Sequence, residues 1–314
     1  MKRVYYLFVL VFLSIFFTSC VTLQHPHFSP EEEAALYPES AYIPESFNWS
    51  EVCPGIFRFD YKNQDFPIIY HAVKIDLSQP GLELLAFPDA SLQELSAYVE
   101  GSEEALAQPL TYRSIATSKF AAINKCAVAI NLSPFSGKNG SWGLGAKLGS
   151  LRQLVGLHVA DGLIISEPVS RYAAISFTKK TKDDGSTYWQ ANIERNQSQK
   201  TAESSDFAFG GFYIVLEDGQ IQDFKSRTHD SRSGAGLSED GKTLYLLVVE
   251  GENPFKSQGL SYPQCAQLFK AMGCSDALEL DGGGSSELCI NGRSVLSYTN
   301  FRVQANSLGF NVDF

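Results

Sequence analysis

Beyond residue 52 the chain is dominated by a two-residue alternation of apolar and polar side chains, cut by short turn signals. Gly55-Ile56-Phe57-Arg58-Phe59-Asp60-Tyr61 alternates as a half-buried strand does. Residues 68–77 and 82–87 predict two more strands, with Pro80-Gly81 as the turn between them. Further strands are expected at 127–132, 173–178, 277–280 and 306–312. Hairpins are expected around Asp161-Gly162, Asp218-Gly219, Glu239-Asp240-Gly241 and Asn291-Gly292. A helical period appears at 111–122 and at 262–272. The second helix has Ser261 as N-cap, Pro263 in its first turn and Gly273 beyond its end. Strands therefore outnumber helices, and most are linked as hairpins. The expected fold is α+β, a mostly antiparallel or mixed β-sheet with a few packed helices, in a single large domain over residues 46–314.

The N-terminus breaks this pattern. Lys2 and Arg3 precede an apolar run from Val4 to Phe17, which is shorter than the ~20 residues a membrane-spanning helix needs. A basic start, a short apolar run and small residues describe an export signal. The ending Phe17-Thr18-Ser19-Cys20 resembles a lipobox, so residues 1–19 are expected to be a lipoprotein signal peptide and Cys20 the lipidated residue. Residues 20–45, rich in Pro, His, Ser and Glu, are expected to form a linker, with one short helix at 30–36. The protein is expected to be exported and held in the cell envelope through its N-terminal lipid.

Composition narrows the function classes. The 314 residues carry a formal charge of −10. Cleavage after residue 19 removes two basic residues and no acidic ones, taking the charge to −12. Such a surface excludes broad nucleic-acid binding, which depends on displacing counterions with basic side chains. Five cysteines follow Cys20, an odd number with no zinc-ligand spacing.

The densest chemical signal is Asp281-Gly282-Gly283-Gly284-Ser285-Ser286, placed directly after a short apolar strand. Three glycines let backbone N–H groups turn toward a ligand, and a carboxylate and two hydroxyls stand at the ends of the run. No Lys follows, so this is not a P-loop. Asp281 either acts as a catalytic carboxylate or caps its own loop, as Asp does in turns. Other polar groups fall at strand ends: Asn131, Gly210-Gly211, Arg232, Glu250-Gly251, and Arg302 with Asn306.

In order and spacing these segments resemble the phosphodiester glycosidase family across residues 52–314. The segments are the strand ending in Asn131, Gly210-Gly211, Arg232 with Gly236, Glu250-Gly251, the run Ala277 to Ser286, and Arg302 with Asn306, Leu308 and Gly309. Two departures stand out: Leu132-Ser133-Pro134 follows Asn131, and Glu252 stands where many members have Arg. The resemblance implies an exported hydrolase that cleaves the glycosidic bond of sugar-1-phosphodiesters, with a glycosyl phosphodiester or an envelope glycan as partner. Asp281 and Glu250 would then be the catalytic carboxylates. Asn131, Arg232, Gly282, Gly283, Gly284, Ser285, Ser286, Arg302 and Asn306 would bind substrate. No cofactor is called for; a divalent metal on Asp281 and Glu250 is chemically possible. Two alternatives stay open: a surface carbohydrate-binding lipoprotein without turnover, and a phosphodiesterase breaking the P–O bond.

Overall fold

The computed structural model describes residues 27–89, 111–137, 151–225 and 227–313. The signal segment and Cys20 lie outside the described residues. Every strand pairing among the described residues is antiparallel, so the molecule is mainly β with a few helices. One eight-stranded sheet runs in the spatial order Gln220–Ile221, Ile214–Glu217, Asp276–Glu279, Arg232–Leu237, Thr243–Val249, Ile68–Asp76, Ile56–Asn63, Ser50–Cys53. A five-stranded sheet runs Arg293–Ser294, Leu288–Ile290, Val128–Asn131, Ser307–Val312, Leu82–Phe87. A second five-stranded sheet is built on Ala174–Thr181 and Phe207–Gly210.

The alternation seen in the sequence sets which faces meet. Val73 and Ile75, Leu84 and Ile130, and Phe177 and Phe209 come from the three large sheets and share one buried core. Burial of such side chains contributes about 1.5–3 kcal/mol each. On its other face the eight-stranded sheet is covered by the helix Tyr262–Met272, whose Leu268 and Phe269 pack with Tyr70 and Leu247. That helix begins with the predicted Ser261, in a full capping box with Gln264, and ends on left-handed Gly273. The Phe269 ring lies so close to the sheet that a Cβ at Gly236 would stand 2.7 Å from it.

Three expectations change. Residues 111–122 are not one helix: Thr111–Arg113 is a strand paired with Leu151–Leu154, and the helix starts at Thr117. Cross-strand pairing overrides the local helical pattern there. The strand Thr187–Glu194 went unpredicted, because its outward face is too polar to show a clear alternation. Residues 27–45 are packed rather than free. The strand His27–Phe28 pairs with Arg227–Thr228, and the expected helix Pro30–Leu36 is capped by Ser29. Tyr42 is buried, and Glu33 binds Arg227 at 3.0 Å and His229 at 3.1 Å. The aromatic residues of this segment extend the core instead of facing water. No helix among the described residues is long and apolar enough to cross a membrane.

Candidate functional site

The register of the eight-stranded sheet brings three predicted segments level. Arg232 pairs with Val249, Gly234 pairs with Glu279, and the Leu280 N–H donates to Ser233 O at 2.8 Å. Arg232 at the start of one strand therefore lies between Asp281 and Glu250, which follow the ends of its two neighbours. At ~4.8 Å between strands, the two outer strand ends lie about 10 Å apart. Glycine makes this junction feasible. A Cβ on Gly251 would stand 2.3 Å from Ser231 N, and one on Gly282 would stand 2.9 Å from Ser231 O. Gly283 has φ +57° and donates its N–H to Ser231 O at 2.8 Å.

Asn131 arrives from the five-stranded sheet and joins the two layers. Its Nδ2 donates to Asp281 O at 2.6 Å, and its Oδ1 accepts from Ser233 Oγ at 2.8 Å and Glu287 N at 3.0 Å. The side chain is wholly buried. Expected to bind substrate, Asn131 makes these three hydrogen bonds within the protein and through them positions the Asp281 loop.

The carboxylates differ in environment. Burial pushes Asp281 up to about 6, against the nearby Ser285 hydroxyl and the Arg302 charge. Burial pushes Glu287 up to about 7 against Ser294 and Asn300, and Glu279 up to about 7 against Arg232. Glu250 is different. Burial alone would raise it, yet hydrogen bonds from His71 and Ser297 hold it below the ordinary glutamate range. Its Oε1 lies 2.9 Å from His71 Nε2 and accepts from Ser297 N at 2.7 Å. His71 Nδ1 meets Asp60 Oδ1 at 2.7 Å. Burial disfavours the charged ring, but the two flanking carboxylates outweigh it and raise His71 above the usual histidine value.

The two arginines have unequal roles. Arg302 lies against the glycine loop, its Nη1 3.2 Å from where a Gly284 Cβ would be. Asn300 sets that approach: its Nδ2 donates to Gly284 O and Ser286 O, and its Oδ1 accepts from Arg302 N. Arg232 is buried and stacked on Tyr262 at 4.1 Å; Nε donates to Leu260 O and Nη2 to Thr228 O. Its expected two-pronged grip on phosphate is corrected to a structural one, although its stem borders Gly282. Asn306 is also buried, 3.4 Å from His158 Nδ1, and its Oδ1 has no hydrogen-bond partner within the protein. Burial lowers His158 to about 4 against the Pro88 carbonyl, so the ring is neutral. The buried hydroxyls of Ser133 and Ser286 likewise have no hydrogen-bond partner within the protein. Unpaired buried polar atoms are costly, and here they gather beside the glycine run.

A divalent metal does not fit this donor set. The Glu250 oxygens are taken by His71 and Ser297, and Asp281 faces an arginine. Among the described residues no three His, Cys, Asp or Glu side chains gather as metal ligands.

The model of the phosphodiester glycosidase family matches residues 124–311. That span is more than half of the chain and includes Asn131, Arg232, Glu250, Asp281 and Arg302. The chain belongs to the phosphodiester glycosidase family. The SPbeta prophage-derived protein YomE of Bacillus subtilis strain 168 is 28% identical over 160 residues, 46% of this chain and 23% of that protein. The chain thus spans about a quarter of that relative's length. A Synechocystis protein shares the fold at a TM-score of 0.57 and 14% identity, over 87% of this chain and 65% of that one. The zebrafish N-acetylglucosamine-1-phosphodiester alpha-N-acetylglucosaminidase catalytic domain, auto-inhibited by its pro-peptide, does so at 0.50 and 16%, over 92% of this chain and 95% of that one.

Sequence reasoning missed His71, Asp60, Glu287 and Asn300. Glu287 comes just after Ser286 and before the strand Leu288–Ile290, where nothing local marks its carboxylate. Asp60 and His71 precede the matched span and meet Glu250 only through sheet register.

Proposed function

We propose that this phosphodiester glycosidase family member hydrolyses the C1–O bond of sugar-1-phosphodiesters, and that it does so as an exported, lipid-anchored protein. One observation carries the reading: Asp281 stands on a glycine loop faced by Arg302, and the buried Ser286 hydroxyl of that loop lacks a protein partner. Arg302 suits one anionic phosphate, since a guanidinium pairs with two oxygens at once. The serine hydroxyls suit sugar or phosphate oxygens.

The chemistry follows from charge. Departure of phosphate from C1 passes through an oxocarbenium-like state, which nearby carboxylates stabilise. Phosphate leaves readily, so little acid assistance is required. With its acidity near 6, Asp281 is ionised at neutral pH and close enough to that value to accept a proton from water. Glu250, held as an anion by His71 and Ser297, supplies fixed negative charge at the neighbouring strand end.

Two experiments test this. Hydrolysis of an N-acetylglucosamine-1-phosphate methyl diester in ¹⁸O-water should place label on the sugar; label in phosphate would mean P–O cleavage instead. Asp281→Asn, which keeps the loop geometry, should lower kcat by about 10³-fold or more, and full turnover in that variant would remove Asp281 from the chemistry. Binding of the diester without product would leave a carbohydrate-binding lipoprotein. For the anchor, palmitate labelling should vanish in Cys20→Ser.

A further inference from the structure

A second concave site lies beyond Glu250. It is a cleft of about 600 Å³ lined by Arg58, Asp60, His71, Asn291, Arg293 and Ser294. One wall is the strand pair Ile56–Asn63 and Ile68–Asp76; the other is the hairpin that turns at Asn291-Gly292. Its charges are unevenly balanced. Asp60 is held by Arg58 Nε at 2.9 Å and by His71 Nδ1 at 2.7 Å. Arg293 is exposed and makes no ion pair with a described residue. Arg58 and His71 are thus offset by Asp60 and Glu250, which leaves Arg293 as the unopposed charge of the cleft in a chain of formal charge −10.

The cleft is also joined to the site. His71 on its floor binds Glu250, and Ser297, three residues after Ser294, binds Glu250 from the other side. The same segment continues to Asn300, clamped on the glycine loop, and to Arg302. One stretch of chain therefore carries Arg293 at the cleft and Arg302, nine residues later, at the loop. A substrate lying along it would meet positive charge at two places.

We propose that this cleft is a second anion subsite, which takes a phosphate carried by the part of the substrate beyond the scissile bond. It rests on the glycosidase reading and names its substrate class: sugar-phosphate chains or phosphorylated diesters, rather than diesters of neutral alcohols. Arg58 and Arg293 hold the distal phosphate, while Arg302 holds the one that leaves. Because Arg293 is in contact with solvent, the attraction is screened by salt.

The test compares two diesters of N-acetylglucosamine-1-phosphate, one with methanol and one with glycerol 3-phosphate as the alcohol esterified to the departing phosphate. Wild-type kcat/KM should be about 10-fold higher for the second at low salt. Arg293→Gln should erase that preference without changing turnover of the methyl diester. A preference below 2-fold, or one that survives Arg293→Gln, overturns the subsite and leaves the glycosidase reading intact. In parallel, inorganic phosphate titrated against ¹⁵N-arginine-labelled protein should shift the Arg293 side-chain resonance. If neither diester is cleaved yet Arg293 shifts, the subsite stands and the activity falls. An unmoved Arg293 resonance overturns the subsite whatever the kinetics show.

Discussion

Replacing Asn131 by alanine removes three hydrogen bonds, at 2.6, 2.8 and 3.0 Å, from a position with no exposed surface. Each bond is worth about 1 kcal/mol net, and buried partners left unpaired add a cost of their own. The Asp281 carbonyl, the Ser233 hydroxyl and the Glu287 N–H would all lose this partner. A loss of about 3–5 kcal/mol follows. At about 2–4 °C per kcal/mol for a domain of this order, the melting temperature should drop by roughly 6–20 °C. Activity should fall more than stability explains, because the Asp281 carbonyl is one of the bonded atoms and its side chain shares that backbone. Thermal unfolding by circular dichroism gives the first number, and kcat measured well below the melting point gives the second. Asn131→Asp provides a control, since it keeps the acceptor but loses the donor to Asp281. A melting temperature within 2 °C of wild type in Asn131→Ala would refute the view that this residue joins the two sheets.

Further outcomes follow from the same geometry. The acidic limb of kcat/KM should have its midpoint at about pH 6, the Asp281 value, with activity falling as pH drops through it; a flat profile from pH 7 to 5 would exclude Asp281 as base. Stability should rise as pH falls from 8 to about 6.5. Glu279 and Glu287 each sit at about 7 in the folded chain against an ordinary 4.5, so the folded state binds more protons in that window. His158 opposes this increasingly as pH approaches 6.5, where the unfolded ring is half protonated while the folded ring stays neutral. Thermal melts should gain a few degrees over that range, and Glu279→Gln with Glu287→Gln should flatten the trend; a falling melting temperature would contradict it. Gly251→Ala should be badly destabilised, by several kcal/mol, because the new methyl would sit 2.3 Å from Ser231 N. Near-wild-type urea unfolding would show that this junction yields.

Local signals in the sequence were strong where the physics is local. Ser261, Pro263 and Gly273 delimit their helix as expected, since caps act within one turn. Asn291 and Gly292 adopt φ of 49° and 72°, the pair a tight hairpin turn requires. The glycine run is legible as a tight turn after a strand, and Gly283 takes the positive φ that such a run allows. What stayed hidden depends on register. Asp60 and His71 stand directly opposite one another on adjacent strands, and His71 reaches Glu250 across 179 residues of sequence. Arg232 and Asn131, expected to bind substrate, make their hydrogen bonds to backbone and side-chain groups of the protein. The sequence marks a polar residue at a strand end, and only packing shows whether it faces a ligand or another strand.

Docking of residues 27–45 onto the sheet has a consequence for how far the protein can reach. Were the chain free from Cys20 to Glu45, its contour of ~3.5 Å per residue would let the folded body roam about 90 Å from a lipid at Cys20. With pairing already in place at His27, a lipid at Cys20 would leave a contour of at most seven residues, or about 25 Å. Under the proposed anchor the body would graze the membrane face, its substrates would be those presented within a short leash of the bilayer, and distant layers of the envelope would lie out of range.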